Sequence, residues 1–134
     1  MKNPVVHFEM PYDDRERMAK FYQSAFEWQT QMLGPEMGNY VLATTAESDQ
    51  QGCPKRPGAI NGGFHPRDPA MPAQVPSVVI AVDDIQVAMK NIRAAGGEVL
   101  GEPMDIPGVG SYVSFYDTEK NRVSVLQPLP MNKP

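Results

Sequence analysis

VHFEMPYDDRERMAKFYQSAF, residues 6–26, and SVVIAVDDIQVAMKNIRAAGG, residues 77–97, decide the fold. The chain carries 14 prolines among 134 residues, yet none lies between Pro11 and Pro35 or between Pro76 and Pro103. Glycine is likewise absent until Gly34 in the first window and Gly96 in the second. Without breakers, each window has room for a strand followed by a helix. Val6-His7-Phe8-Glu9-Met10 alternates apolar and polar as a half-buried strand does. Asp13 with Glu16 then makes a capping-box pattern, and Met18, Phe21, Tyr22, Ala25 and Phe26 form one helix face that Gly34-Pro35 would end. In the second window Ser77–Val82 reads as the strand and Asp83 with Gln86 as the cap. Ile85, Ala88, Met89, Ile92 and Ala95 are its stripe, and Gly96-Gly97 its stop.

A shift of 70 residues lays Asp13-Asp14 on Asp83-Asp84, Lys20 on Lys90 and Ala25 on Ala95. A shift of 72 lays Gly38-Asn39-Tyr40-Val41 on Gly110-Ser111-Tyr112-Val113. The repeated order of strand, capped helix and glycine-led strand reads as an internal duplication. Strands are expected at Tyr40–Thr45 and about Ala59–Phe64, then at about Glu98–Pro103, Ser111–Tyr116 and Arg122–Gln127, with a turn at Asp117–Asn121. Module 1 covers about 4–65, a proline-rich linker about 66–76, and module 2 about 77–128, within a single domain spanning 1–134. Ala46–Gly58, polar and holding Cys53, is expected to be an exposed, mobile loop.

Composition narrows the function classes. Twelve Lys and Arg against 16 Asp and Glu give −4, with a pI near 5.1. This argues against a nucleic-acid partner, which calls for a basic face. The longest apolar run, Val78–Val82, is far short of the roughly 20 residues of a membrane span. Early acidic residues, Glu9, Asp13 and Asp14, do not suit a signal peptide. A lone cysteine, Cys53, suits a reducing compartment, so a cytoplasmic protein is expected.

Strand parity names candidate site residues. Val6, Phe8 and Met10, Val78, Ile80 and Val82, Val113 and Phe115, and Val123 and Val125 mark apolar faces for the helices. The opposite parity carries His7, Glu9, Ser77, Tyr112, Ser114, Tyr116 and Ser124. This is either a ligand pocket or a solvated sheet face. His7 and Glu9, two apart on one strand, read as a general base tuned by a carboxylate, as two metal ligands, or as a structural histidine beside a solvated glutamate. Zinc usually needs three protein ligands, and the pattern supplies no third. Pro107-Gly108-Val109-Gly110 reads as a tight turn, since a strand and not a helix follows. No serine has a nucleophile-elbow setting, and Cys53 has no histidine partner in reach.

Two βαβββ units with His7, Asp13-Asp14 and Phe21-Tyr22 in the first, and Val82-Asp83-Asp84, Ala94-Ala95-Gly96-Gly97 and Asp117-Thr118-Glu119-Lys120-Asn121-Arg122 in the second, resemble the vicinal oxygen chelate superfamily. Its members include glyoxalase I, bleomycin-resistance proteins and extradiol dioxygenases, and the resemblance spans about residues 5–128. It implies an α+β fold in which two βαβββ modules form a curved mixed β-sheet cup with helices on the outer face. It implies a small organic ligand and a homodimer. The family's four metal-ligand positions fall on His7, on Asn61–Gly63 with Asn61 as donor, on Ser77 and on Ser124. Only His7 is a clear match, which separates the chain from glyoxalase I and groups it with glyoxalase-like proteins of degenerate metal site. No cofactor is expected, and a divalent metal stays open. The implied readings are a small-molecule-binding lyase or isomerase, a ligand-sequestering protein of the bleomycin-resistance type, or a metal-dependent lyase or dioxygenase using His7 and Glu9.

Overall fold

Both helices start on the second aspartate of their Asp-Asp pairs, one residue later than the pattern suggested. Asp14 accepts from Arg17 N at 3.0 Å, and Asp84 accepts from Gln86 N and Val87 N at 2.9 and 3.2 Å. Glu16 therefore falls one position short of closing a capping box and instead puts its charge in the first turn, where the helix dipole favours it. Asp13, freed from capping, pairs with Arg67.

The structure, a computed structural model, describes residues 2–70 and 74–130; Met71, Pro72 and Ala73 of the expected linker lie outside them. The chain is α+β, in two units: His7–Pro76, and Ser77 onward together with the first six residues. The elements are β1 (Val5–Tyr12), α1 (Arg15–Phe26), β2 (Gln29–Met32), β3 (Val41–Thr44), β4 (Asn61–Pro66), β5 (Ser77–Ala81), α2 (Ile85–Ala94), β6 (Glu98–Ile106), β7 (Gly110–Tyr116) and β8 (Arg122–Pro128). Neither helix is long and apolar enough to cross a membrane.

In the His7–Pro76 unit the strands run in the order β2-β3-β4-β1, with β1 parallel to β4 and the other pairs antiparallel. Buried Val41, Ala43 and Phe64 pack with Phe8, Met10, Tyr12, Met18, Tyr22 and Trp28. Strand β2 was not legible, and α1 stops eight residues before Gly34. Glu27 takes a left-handed conformation (φ 61°), its N–H bonds Gln23 O, and Trp28 N–H bonds Tyr22 O. The Glu27 bond is that of an αL closure, with glutamate where glycine is usual. The hydrophobic contact that accompanies such closures is here a stack of Trp28 on Tyr22, with centroids 4.6 Å apart. The expected stripe of α1 is also too wide, since Phe21 and Phe26 are 56% and 60% exposed. The packing edge is Met18, Ala19 and Tyr22.

The loop after β3, expected to be exposed, is mostly so, and it carries hydrogen bonds of its own. The Asp49 carboxylate accepts from Gln51 N and Cys53 N. The Asn61 carboxamide accepts from Thr45 N and donates to Ser48 Oγ and Gly52 O. Two short polar side chains thus supply what a helix or ladder would give the loop backbone.

In the other unit the order is β5-β8-β7-β6, with β5 parallel to β8. Val82, Ile85, Met89, Val113, Phe115 and Val125 form its core, joined by Ile80, Ala88, Ile92, Val99 and Val123. Most of the parity expected for β5, β7 and β8 and of the α2 stripe packs here, but Val78 is absent from the cluster, Val79 of the opposite β5 parity is buried, and Ala95 is an exposed cap beyond the helix. Ile106-Pro107-Gly108-Val109 is the expected tight turn, with Gly108 at φ 77° and Val109 N–H on Ile106 O, which makes it type II. Asp117 accepts from Glu119 N, Asn121 N and Asn121 Nδ2, closing the turn into β8. Those bonds, led by the Asn121 side chain, hold its carboxyl below the usual range.

Candidate functional site

The expected site residues fall into two groups, one in each unit, and each is organised by a tyrosine. In the His7–Pro76 unit, β1 and β4 set His7 beside Asn61, Phe8 beside Gly62, and Glu9 beside Gly63. The side chains of β1 alternate, so Phe8 turns into the core while His7 and Glu9 take the other face. Both glycines of β4 are required by rings. A Cβ on Gly62 would strike the Phe8 ring, and one on Gly63 would strike Tyr40. Tyr40 lies across Gly63 and reaches β1, where its hydroxyl is 2.9 Å from His7 Nε2 and donates to Glu9 Oε2 at 3.3 Å.

The backbone fixes Tyr40 from behind. Gly38 and Asn39 are both left-handed (φ 66° and 56°), Tyr12 OH donates to Asn39 O at 2.7 Å, and Leu33 N–H donates to Tyr40 O at 2.8 Å. Burial lowers the pKa of His7 below its ordinary 6.5, and the nearby Glu9 carboxylate offsets part of that. The neutral imidazole, able to accept a proton, is thus the favoured form near neutrality.

In the other unit the hydroxyls form a row. Tyr112 OH lies 2.7 Å from Ser124 Oγ, which lies 2.8 Å from Ser114 Oγ. Ser124 is 2% and Ser114 7% exposed, so this parity is not a solvated sheet face here. Ser77 opens β5 and Tyr116 closes β7, both half-buried and outside the row.

Register identifies the position that the sequence left ambiguous. Glu9 stands beside Gly63, and Val79, 70 residues on, stands beside Ser124. Gly63 is therefore the counterpart of Ser124, and Asn61 lies two residues away, holding the loop. On this register the positions that the resemblance implied would be His7, Gly63, Ser77 and Ser124. Of these only His7 has a side chain that commonly binds a divalent metal. Among the described residues no group of three or more His, Cys, Asp or Glu is gathered to hold one. This donor set does not fit the three-ligand chemistry of such a centre.

Tyr40 is the side chain of this hydrogen-bonded group that the sequence reading missed. Its signal was present in the shift of 72 that lays it on Tyr112, joined to the Gly62-Gly63 pair that makes room for a ring.

The family model described as "Glyoxalase/Bleomycin resistance protein/Dioxygenase superfamily" matches residues 5–125. CFP32 of Mycobacterium tuberculosis, which carries a glyoxylase name, is 42% identical over 94 residues, covering 69% of this chain and 31% of that protein. The anthracycline biosynthesis protein DnrV of Streptomyces peucetius is 32% identical over 119 residues, covering 82% of this chain and 42% of DnrV. The chain thus spans less than half the length of these curated relatives. Among solved structures, a methylmalonyl-CoA epimerase variant of Streptomyces coelicolor superposes with a TM-score of 0.71 at 14% identity, covering all of both chains. Protein BH1468 of Bacillus halodurans C-125 does so at 0.70 and 11%, again over all of both chains. At such identities the likeness is one of fold. With the matched residues running through both βαβ halves, from the strand of His7 to the strand of Ser124, the chain belongs to the glyoxalase/bleomycin resistance protein/dioxygenase superfamily.

Proposed function

We propose that this protein binds a small organic carbonyl compound and acts as a lyase or isomerase without a metal, with His7 as the acid–base group and Glu9 as its charge partner. The observation that carries this reading is the His7–Tyr40–Glu9 hydrogen-bonded group, in a chain whose other family ligand positions are Gly63, Ser77 and Ser124. A neutral imidazole removes a proton from carbon next to a carbonyl. It then returns that proton, to either face or to a leaving group, giving isomerisation or elimination. Ser77, Tyr112, Ser114, Tyr116 and Ser124 are the ligand-binding candidates of the other unit, and the hydroxyls of the row suit a polar ligand oxygen. On the same reading the protein is a cytoplasmic homodimer with exposed, unbridged Cys53; light scattering that gives the mass of one chain at micromolar concentration removes the dimer.

The test is a thermal-shift screen of chelator-treated protein against small aldehydes, ketones and keto acids. Each binder is then followed by proton NMR in D2O for exchange at the carbon next to the carbonyl. Exchange that survives chelation and is lost in His7→Ala is expected. Binding without exchange leaves the ligand-sequestering reading, and exchange restored only by added metal leaves the metal-dependent one.

A further inference from the structure

A hydroxyl has one proton, and in Tyr40 that proton is committed to Glu9, because a carboxylate only accepts. The 2.9 Å bond between Tyr40 and His7 Nε2 must then be donated by the imidazole. From this arithmetic we infer that Tyr40 is a positioning residue that fixes His7 as the Nε2–H tautomer and leaves Nδ1 as the basic nitrogen. The inference deepens the reading of His7 as a base by naming the atom that takes the proton and the residue that selects it.

The placement is built from several sides. Gly63 leaves open the space that the ring crosses, and the two left-handed residues Gly38 and Asn39 aim the strand that carries it. Tyr12 and Leu33 hold the backbone on either side of the ring's attachment. Phe8, on the next residue of β1, packs on Trp28 and Phe64, which keeps the strand from rotating. The chain of acceptors runs from the imidazole N–H to the phenol oxygen and from the phenol proton to the carboxylate. Its polarity suits an imidazolium. When the Nδ1 lone pair forms a bond to a substrate proton, the electrons of the broken C–H bond pass to the substrate's carbonyl. The positive charge left on the ring is then met by Glu9 through the phenol.

The tautomer is read without any substrate, so its outcome is separate from whether the protein turns a compound over. Long-range proton–nitrogen NMR of uniformly 15N-labelled protein above pH 7 distinguishes protonated from bare ring nitrogens. The chain has two histidines, and His65→Gln assigns His7 by elimination. Wild-type protein is expected to show a bare Nδ1 and a protonated Nε2 on His7. Tyr40→Phe keeps the ring but removes the hydroxyl, and is expected to move both nitrogens toward the averaged shifts of a tautomer mixture. A protonated Nδ1 in wild-type protein overturns the inference even if Tyr40→Phe does not fold. A folded Tyr40→Phe with the wild-type tautomer unchanged overturns it as well.

Discussion

Tyr40 and Tyr112 enter their units at equivalent points, 72 residues apart, and finish on different partners. Tyr112 stands opposite Leu126, and its hydroxyl lies 2.7 Å from the Oγ of Ser124, two residues back along β8. Extending the β3–β4 register puts Tyr40 opposite His65, and two residues back is Gly63. There the ring meets no side chain, continues over the strand, and ends on His7 and Glu9. One Cβ separates the two outcomes. A serine turns its tyrosine into part of a buried hydroxyl row, and a glycine releases the other to organise an imidazole. The duplicated framework thus supplies the same aim twice, and the residue under the ring decides what the aim accomplishes.

The most severe test puts the serine of one unit into the other. Gly63→Ser drives a side chain into the Tyr40 ring and is expected to destabilise by about 3 kcal/mol, the upper range for overpacking. Urea melts check this, and Tyr40→Ala supplies the control. With the ring removed, adding Gly63→Ser should cost below about 1 kcal/mol, a coupling that a double-mutant cycle isolates. Equal costs in both backgrounds would show that the glycine serves the backbone and not the ring. The reciprocal change is milder. Ser124→Ala strips the partner from the buried Ser114 hydroxyl and is expected to cost about 2 kcal/mol, the penalty for a buried polar group left unpaired. A melt unchanged by Ser124→Ala breaks the description of the row as a satisfied, buried network.

Removing a single hydroxyl sharpens the comparison further. Tyr112→Phe and Tyr40→Phe should each cost about 1 kcal/mol in stability, the net worth of an ordinary hydrogen bond. Tyr40→Phe should also change the proton–nitrogen spectrum of His7, and a folded variant with that spectrum unchanged breaks the link between the phenol and the imidazole.

The elements that deep burial and periodic pattern dictate were legible in the sequence. The second unit read well because Ile85, Ala88, Met89 and Ile92 form an amphipathic stripe over a β-branched strand, with propensity, pattern and packing in agreement. The first unit read less well for local reasons. Glu27 takes a conformation that sequence patterns assign to glycine, so the end of α1 was hidden and Gln29–Met32, short and mostly polar, had no strand signature. Phe21 and Phe26 completed an apolar face that the helix does not bury. At the site, parity set His7, Glu9, Ser114 and Ser124 opposite the apolar side chains. It gave no account of Tyr40, because the residue lies just before its strand and acts across a glycine. Only a register, which is a three-dimensional fact, pairs Glu9 with Gly63 and Val79 with Ser124.

The smallest expected effect is the pH dependence of His7, and its sign follows from the direction of the shift. Burial lowers the folded-state pKa below 6.5, with Glu9 offsetting part of the change. An unfolded chain therefore binds the proton more readily than the folded one. The stability tied to neutral His7 is whole above about pH 6.5 and is lost as the pH falls through the lowered folded value. Wild-type protein should thus lose stability on acidification faster than His7→Gln, and the difference between the two melts, followed from pH 8 to pH 5, isolates the histidine. Among the described residues, Glu9 and Phe8 on its own strand and Tyr40 from the neighbouring segment lie beside the ring. Glu9→Gln removes the carboxylate that favours the imidazolium, so its His7 should titrate lower still, and NMR titration reads that shift directly. A difference between wild type and His7→Gln that stays flat, or grows in favour of wild type on acidification, contradicts a buried imidazole. It would mean that the partners of His7 favour its charged form over the neutral one, and the histidine would then be better described as a proton donor at rest than as a base.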